Sequence, residues 1–492
     1  MKRILSVLSF IIIINYGYAQ DFIGMTNSNY SGLYGVGLQP ASIVDSRISF
    51  DLIINSTNAE LGNTVISVSR NDLLGDSSIG SYLKFRDVKG DRQVYANVNA
   101  MGPSAMWHYK HKYYFALTTR TRAIVNIHNV DADMAKLLSD TYLLGDTTAL
   151  NFSQGLSTSG FGLKAMVWGE VGATFGMKIL EVGPHYLKGA GTIKYLKSGS
   201  SAYFVADDID YKVIGDSVLS INSAGIKYGI AKGVLENANS LIDGSRSGLG
   251  IDLGIVYEYR PEKDKAKYLY SMDGKDDNIR YDLNKYKYRV GLSILDIGKV
   301  GFNTGAVASS YNISGQNIAL ESLGQSIPQI DSTWLATFNG TKQKDKYSMR
   351  LPTAISLQFD YHIWRGLYVN STTFLGFKQK NIAVSQLSRF SITPRLESKN
   401  AEIAFPMSYA LKKLNVGMAF RVPLPSVLGS HFVFGSNNLF NLIGGNAQIT
   451  SANVYVGFRY QFNNGLLKDS DGDGYSNKVD KNKKRSDIAG AN

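Results

Sequence analysis

Residues 453–462, Asn453 to Phe462, read NVYVGFRYQF. Taken alternately, Val454, Val456, Phe458, Tyr460 and Phe462 fall on one side, and Asn453, Tyr455, Gly457, Arg459 and Gln461 on the other. Successive side chains of a strand point to opposite faces, so this is a strand with one apolar and one polar face. A soluble sheet would bury the apolar face in a core. A membrane barrel turns it to lipid and keeps the polar face for the lumen.

The same period recurs upstream. Ile48, Phe50, Leu52 and Ile54 alternate with Arg47, Ser49 and Asp51. Further alternating runs cover Leu249–Tyr259, Tyr286–Ile294, Ile355–Tyr361 and Val416–Val422. Asp252, Glu258, Arg289, Asp360 and Arg421 stand on the minor faces of those runs, which implies a hydrated or plugged interior. Each strand alone fits a sandwich as well as a barrel, so loop lengths must decide. With Phe462 ending on the periplasmic side, Pro423–Gly429, Glu397–Asn400, His362–Gly366 and Asp296–Lys299 become short periplasmic turns. Tyr311–Leu351 and Arg260–Asn284 become long outer loops, the asymmetry expected of a transmembrane barrel. Tyr257, Tyr259, Tyr286 and Tyr288 then form one aromatic girdle. Phe359, Tyr361, Trp364, Tyr460 and Phe462 form the other.

Between Asn63 and Ile230, strands are expected at Tyr82–Phe85, Val94–Met101, Ala105–Tyr109, Tyr113–Arg122, Phe161–Trp168, Ala173–Leu180, His185–Leu196 and Ala202–Val213. The resulting total is odd, whereas single-chain bacterial barrels use even numbers. Asp131–Leu144 and Ile226–Ile242 space their apolar residues at three to four and read as loop helices or plug elements. Pro406 removes a ladder hydrogen bond from Glu402–Tyr409, so a bulge is expected there.

Residues 1–19 read as a secretory signal peptide. Lys2 and Arg3 form its basic end, Ile4–Ile14 its apolar run, and Gly17-Tyr18-Ala19 a cleavage site before Gln20. The run is about half of the ~20 apolar residues a membrane helix needs, and no later segment is longer. A membrane-bound form must therefore be a barrel. Residues 20–46 lack periodicity and form an N-terminal periplasmic or plug segment, followed by the barrel over 47–462 and a periplasmic tail over 463–492.

Tyrosine (30) outnumbers phenylalanine (22), which suits strands ending at membrane–water boundaries. The absence of cysteine excludes disulfides, thiolate metal sites and a lipid anchor on an N-terminal Cys. The net charge of +12 comes with no clustered basic helix or nucleic-acid fold pattern, so nucleic acid is not an expected partner. Acidic lipid headgroups and lipopolysaccharide are.

The tail carries Asp469-Ser-Asp471-Gly-Asp473-Gly474-Tyr475-Ser-Asn477-Lys-Val-Asp480. Calcium takes six to eight oxygens, supplied in EF-type loops from positions 1, 3, 5, 7, 9 and 12. These map to Asp469, Asp471, Asp473, the Tyr475 carbonyl, Asn477 and Asp480, with Gly474 at the sharp turn. The final Asp and the missing preceding helix make the loop resemble a thrombospondin type 3 repeat. Catalytic constellations are weak: the six histidines are scattered, and His108 and His111 flank a tight turn. Gly215-Asp216-Ser217 and Gly75-Asp76-Ser77 superficially resemble the nucleophile block of GDS-type esterases, but both lie in polar turns. No enzyme is expected.

Gly457, Tyr460 and Phe462 have the spacing of an outer-membrane assembly signal, so Asn453–Phe462 resembles the closing strand of such barrels. Gln39-Pro40-Ala41 resembles the Asn-Pro-Ala signature near the start of FadL-type channels and PorV-like barrels, whose N-terminal segment tucks into the lumen. With the signal peptide, the SGLGIDLGIVYEYRP strand and the calcium-type tail, nearly the whole chain resembles a family of Bacteroidetes outer-membrane barrels related to FadL and PorV/PorP. The resemblance implies an all-β transmembrane antiparallel barrel of about 14 strands, with 16 or 18 also compatible. It also implies insertion by the barrel-assembly machinery. Two functions fit: a channel or binding barrel for a small hydrophobic or amphipathic ligand, or a docking barrel for a surface or type IX secretion-related assembly. An open lumen or lateral gap favours the first. A lumen filled by the leader with no passage favours the second.

Overall fold

The alternating segments pair into one antiparallel sheet that closes on itself. In the computed structural model, residues 22–69, 83–86, 92–130, 156–158, 160–214, 218–231, 246–303, 306–319, 341–343, 345–377, 382–424, 429–443, 448–467, 469 and 475–477 are described. Fourteen strands make the wall. They are β1 (Ile48–Asn63), β2 (Val94–Met101 continued by Ser104–Tyr109), β3 (Tyr113–His128), β4 (Phe161–Val182) and β5 (His185–Ile214). Next come β6 (Ser247–Tyr259), β7 (Tyr288–Phe302), β8 (Tyr347–Arg350 continued by Ala354–Trp364), β9 (Leu367–Gly376) and β10 (Arg389–Glu397). The last are β11 (Glu402–Ala404 and Met407–Ala410), β12 (Lys413–Val416 and Met418–Pro423), β13 (Ser430–Ser436) and β14 (Ser451–Asn463). Each pairs with the next, and β1 pairs with β14, Ile48 opposite Asn463 and Leu52 opposite Tyr460, which removes both sheet edges.

The barrel is inside-out relative to a soluble protein. Leu249, Ile193 and Val454 are 66%, 65% and 60% exposed on the outside, whereas Arg122, Arg395, Arg421 and Arg459 are buried within. Large apolar side chains each gain about 1.5–3 kcal/mol on leaving water, so a continuous apolar outer band demands an apolar solvent. This is the architecture of a transmembrane barrel.

Several sequence expectations change. Phe161–Trp168 and Ala173–Leu180 are one strand, β4, and His185–Leu196 and Ala202–Val213 are one strand, β5. Small and polar stretches such as Gly169–Gly172 dilute the apolar pattern while the backbone ladder continues, so each continuous strand reads as two. Ile226–Ala231 is not helical. It belongs to the strand Val218–Ala231, whose Ile226 and Tyr228 alternate inward as well as they fit a helix. Asp131–Leu144 lies outside the described residues. Among the described residues the helices are α1 (Leu33–Val36), α2 (Leu439–Ile443) and two 3-10 turns at Pro40–Ile43 and Glu262–Tyr268. Pro406 does interrupt β11, as expected.

The two chain ends of the wall, Ile48 and Asn463, mark one end of the barrel, called here the terminal end; the other is the far end. Arg260–Asn284 sits at the terminal end, because Tyr259 pairs with His185 there. Asp296–Lys299 is no turn but part of β7, with a bulge where Ile251 and Leu253 change partners. The two expected girdles are therefore one: Tyr259 stacks on Tyr288 and Tyr288 on Phe359, at the same end as Phe462. At the far end the outer half of β5 leaves β6 and pairs with Val218–Ala231, which in turn pairs with Val307–Ala319.

Candidate functional site

Residues 22–46 fold inside the terminal half of the lumen. Gln39 is extended, and its side-chain oxygen accepts from the Ala41 N–H at 3.2 Å, capping the turn that Pro40 begins. The Gln39 amide nitrogen reaches the Ile255 carbonyl at 3.2 Å. Gly32 has φ +52°, a conformation L side chains rarely adopt, and a Cβ there would collide with Asp51. Gly457 of β14 faces inward, and the Tyr34 hydroxyl occupies the place of its missing side chain.

Three polar anchors tie this plug to the wall. Asp51 accepts the Leu33 N–H at 2.9 Å and pairs with Arg459 at 3.0 Å; Arg459 also donates to the Tyr30 and Ser31 carbonyls, both at 3.1 Å. Asp45 pairs with Lys285 and Arg260, each at 2.6 Å. Glu397 accepts from the Asn29 backbone at 3.0 Å, and Ser28 donates to Glu402 at 2.7 Å. Burial pushes the Asp45 carboxyl up, but Lys285, Arg260 and Lys188 reverse this and hold it well below the usual carboxylate range. Burial also raises the Tyr34 hydroxyl to about 12. At the adjoining turn, burial and then His108 lower the His111 imidazole to about 4.

Beyond the plug lies a second charged layer. The β7 bulge puts Asp296 at φ +57°, its N–H bonded to the Asp252 carboxylate at 2.7 Å. Arg122 meets the Asp296 carboxylate at 2.8 and 2.9 Å, while Lys194 bridges Asp296 and Asp252 at 2.6 and 2.7 Å. Removing one partner of such a buried pair costs about 3–5 kcal/mol, because the other charge is left uncompensated.

The plug's other face is apolar. Phe22, Met25, Leu33, Tyr34, Val36 and Ile43 pack on inward-facing Ile53, Met101, Met106, Ala404, Val433 and Tyr455 of the wall. Between plug and wall the cavities have volumes near 20 and 30 Å³, room for about one or two waters each.

The sequence marked Asp252, Glu258, Arg289, Asp360 and Arg421 as luminal, and all but half-buried Arg289 are buried inside. It missed Asp45, Asp51, Asp296 and Arg459 as anchors. Asp51 and Arg459 stood on polar strand faces, and that signal was available for both. Of the calcium-type residues, Asp469, Tyr475 and Asn477 are described, while Asp471, Asp473 and Asp480 lie outside the described residues, as do both Gly-Asp-Ser turns. Among the described residues no group of three His, Asp or Glu could hold a metal. The tail instead shows a contact that its sequence did not suggest. Ser476 donates through N–H and hydroxyl to Asp273, at 2.5 and 2.9 Å, on the hairpin Leu269–Met272/Lys275–Ile279.

Fold and site together define a membrane β-barrel plugged by its own N-terminal segment. The chain belongs to a family of unknown function (DUF5723), matched over residues 40–436. No curated protein matches it. Among solved structures it is similar to the Ralstonia pickettii toluene transporter TbuX, at 9% identity and a TM-score of 0.41, over 90% of this chain and 99% of that one. It is also similar to the Pseudomonas putida toluene transporter TodX (9%, TM-score 0.41, 90% and 97%) and to a Pseudomonas aeruginosa FadL homologue (9%, TM-score 0.40, 91% and 99%). Such figures transfer no substrate.

Proposed function

We propose that the protein is an outer-membrane channel for a small hydrophobic or amphipathic ligand, with residues 22–46 as its gate. The terminal end would face the periplasm and the far end the outside. A lumen filled by the leader is, on its own, what a docking barrel would also have. The observation that favours a channel is the wall behind the plug. Ile53, Met101, Met106, Ala404 and Val433 form an apolar patch of the inner wall, against which the plug packs. Arg459 with Asp51, and Arg421 with Glu402, rim the plug. Withdrawal of the plug would bare an apolar patch bordered by charge, which suits a ligand with an apolar body and a polar head. No described residue adds comparable support to the docking reading. Asp469–Asp480 is proposed as a weak calcium site of the tail, separate from transport.

The test is uptake into proteoliposomes of a labelled medium-chain fatty acid, a monoaromatic hydrocarbon and a hexose. Wild type should pass the first two slowly, and Asp51→Asn, which loosens the plug, should pass them faster. Hexose entering as fast as the apolar probes would refute the ligand class. No entry of any probe with either protein would refute the channel.

A further inference from the structure

On the outer wall, one row of side chains runs level across four strands at the rim of the apolar band. Tyr195 of β5 pairs with Leu249 of β6, Leu249 with Lys299 of β7, and Lys299 with Arg350 of β8. All four point outward and are exposed. The row beneath, Ile193, Ile251 and Ile297, is wholly apolar and exposed. Above it, Lys197 lies over the Tyr195 ring at 5.7 Å. Arg246 lies flat across Gly301, where any side chain would crowd it. Arg246, Lys346, Lys299 and Arg350 line one open hollow of about 1060 Å³ together with Tyr195 and Leu249.

The charges in this hollow lack an acidic partner among the described residues. Lys299 and Arg350 are directly opposed cross-strand neighbours, an arrangement that destabilises a sheet unless something neutralises it. Among the described residues no ion pair joins Arg246, Lys299, Lys346 or Arg350 to a carboxylate. The lumen of the same molecule shows the contrast, since buried Arg122, Lys194, Lys285 and Arg395 each pair with an acid at 2.6 to 2.8 Å. Four cations with no ion pair among the described residues, above an apolar strip and on a face turned to lipid, match one kind of molecule: a lipid with phosphate on its headgroup and acyl chains below.

We propose that this hollow binds a phosphorylated glycolipid of the outer leaflet, of the lipid A type. Lys299 and Arg350 grip a phosphate, Arg246 and Lys346 flank it, and the acyl chains run along Leu249, Ile251 and Ile297. The inference rests on the outer-membrane reading, because only that orientation brings the far-end rim to the outer leaflet.

The experiment uses the full chain in lipid nanodiscs, with fluorescent diphosphoryl lipid A as probe. Competitors are the same lipid without phosphates and the deacylated phosphorylated sugar. The variants are Lys299→Gln/Arg350→Gln and, as a charge-matched control at the terminal end, Lys110→Gln/Lys112→Gln. Losing two surface cations should weaken lipid A binding roughly 30-fold, and added salt should narrow the difference. The control should bind as wild type does, and both competitors should displace the probe poorly. Equal affinity of the Lys299/Arg350 variant and wild type would overturn the site. Displacement by the deacylated sugar as efficient as by the intact lipid would overturn the role of the apolar strip. Flotation with vesicles is measured alongside. A wild type that fails to float removes the membrane reading and this proposal together; one that floats without preferring phosphate removes only this proposal.

Discussion

At the scale of single residues, the Asp51–Arg459 pair carries the plug. Asp51 holds the start of α1, and Arg459 holds two carbonyls of the segment before it. Arg459→Ala strands a buried carboxylate, so stability should fall by about 3–5 kcal/mol. The double change Asp51→Asn/Arg459→Gln should cost less than the two single losses combined, because no net charge is left behind. Urea unfolding of the detergent-solubilised barrel measures both. Gly457 makes a different point. Its reading as part of an assembly signal gives no reason for a missing side chain, whereas the structure places Tyr34 in that space. Gly457→Val should therefore leave the barrel assembled but expose residues 22–46 to protease. Phe462→Ala, on the lipid face of the closing strand, should instead reduce the yield of inserted barrel. Which charges face the lumen was legible from alternation. Their partners were not: Asp51 and Arg459 are 408 positions apart, and no local pattern links them.

At the scale of elements, strands were legible wherever alternation was strong, as in β6, β7 and β14. Turns were less so, because Asp296–Lys299 has turn composition yet lies within β7, its irregularity absorbed by a bulge. One such misreading reverses the direction of everything upstream, and that is why Arg260–Asn284 and its tyrosines were expected at the wrong end. The segment's true position makes it the plug's neighbour. His111 stacks on Tyr281 at 3.6 Å, and Lys285, over that same ring, pairs with Asp45. Both titrations act in one direction. The Asp45 pairing is fully present above the ordinary carboxylate pKa of about 4 and is lost as pH falls through its depressed folded value. His111, lowered to about 4, takes up its proton more readily unfolded, so the folded state loses stability between about pH 6.5 and 4. Hydrogen exchange at 281–285 should quicken across that window, and His111→Asn should flatten the change. Exchange at 40–46 should quicken only below about pH 4. For the tail, calcium should bind weakly, near the millimolar range of extracellular modules. Asp471→Ala should abolish that binding by calorimetry, while Asp273→Ala should free the tail from the hairpin without affecting it.

At the scale of the whole molecule, a charged lumen inside an apolar belt leaves one soft component. The wall is a closed ladder, whereas residues 22–46 attach by side-chain pairs, carbonyl bonds and one apolar face. A channel of this design requires that segment to be what closes the pore. The direct measurement is single-channel conductance in planar bilayers, comparing the full mature chain with one lacking residues 22–44. The intact protein should hold the bilayer near its unmodified resistance with rare openings. The shortened protein should give sustained steps at the same applied voltage. If the shortened protein inserts and is as tight as the intact one, residues 22–46 are not the gate.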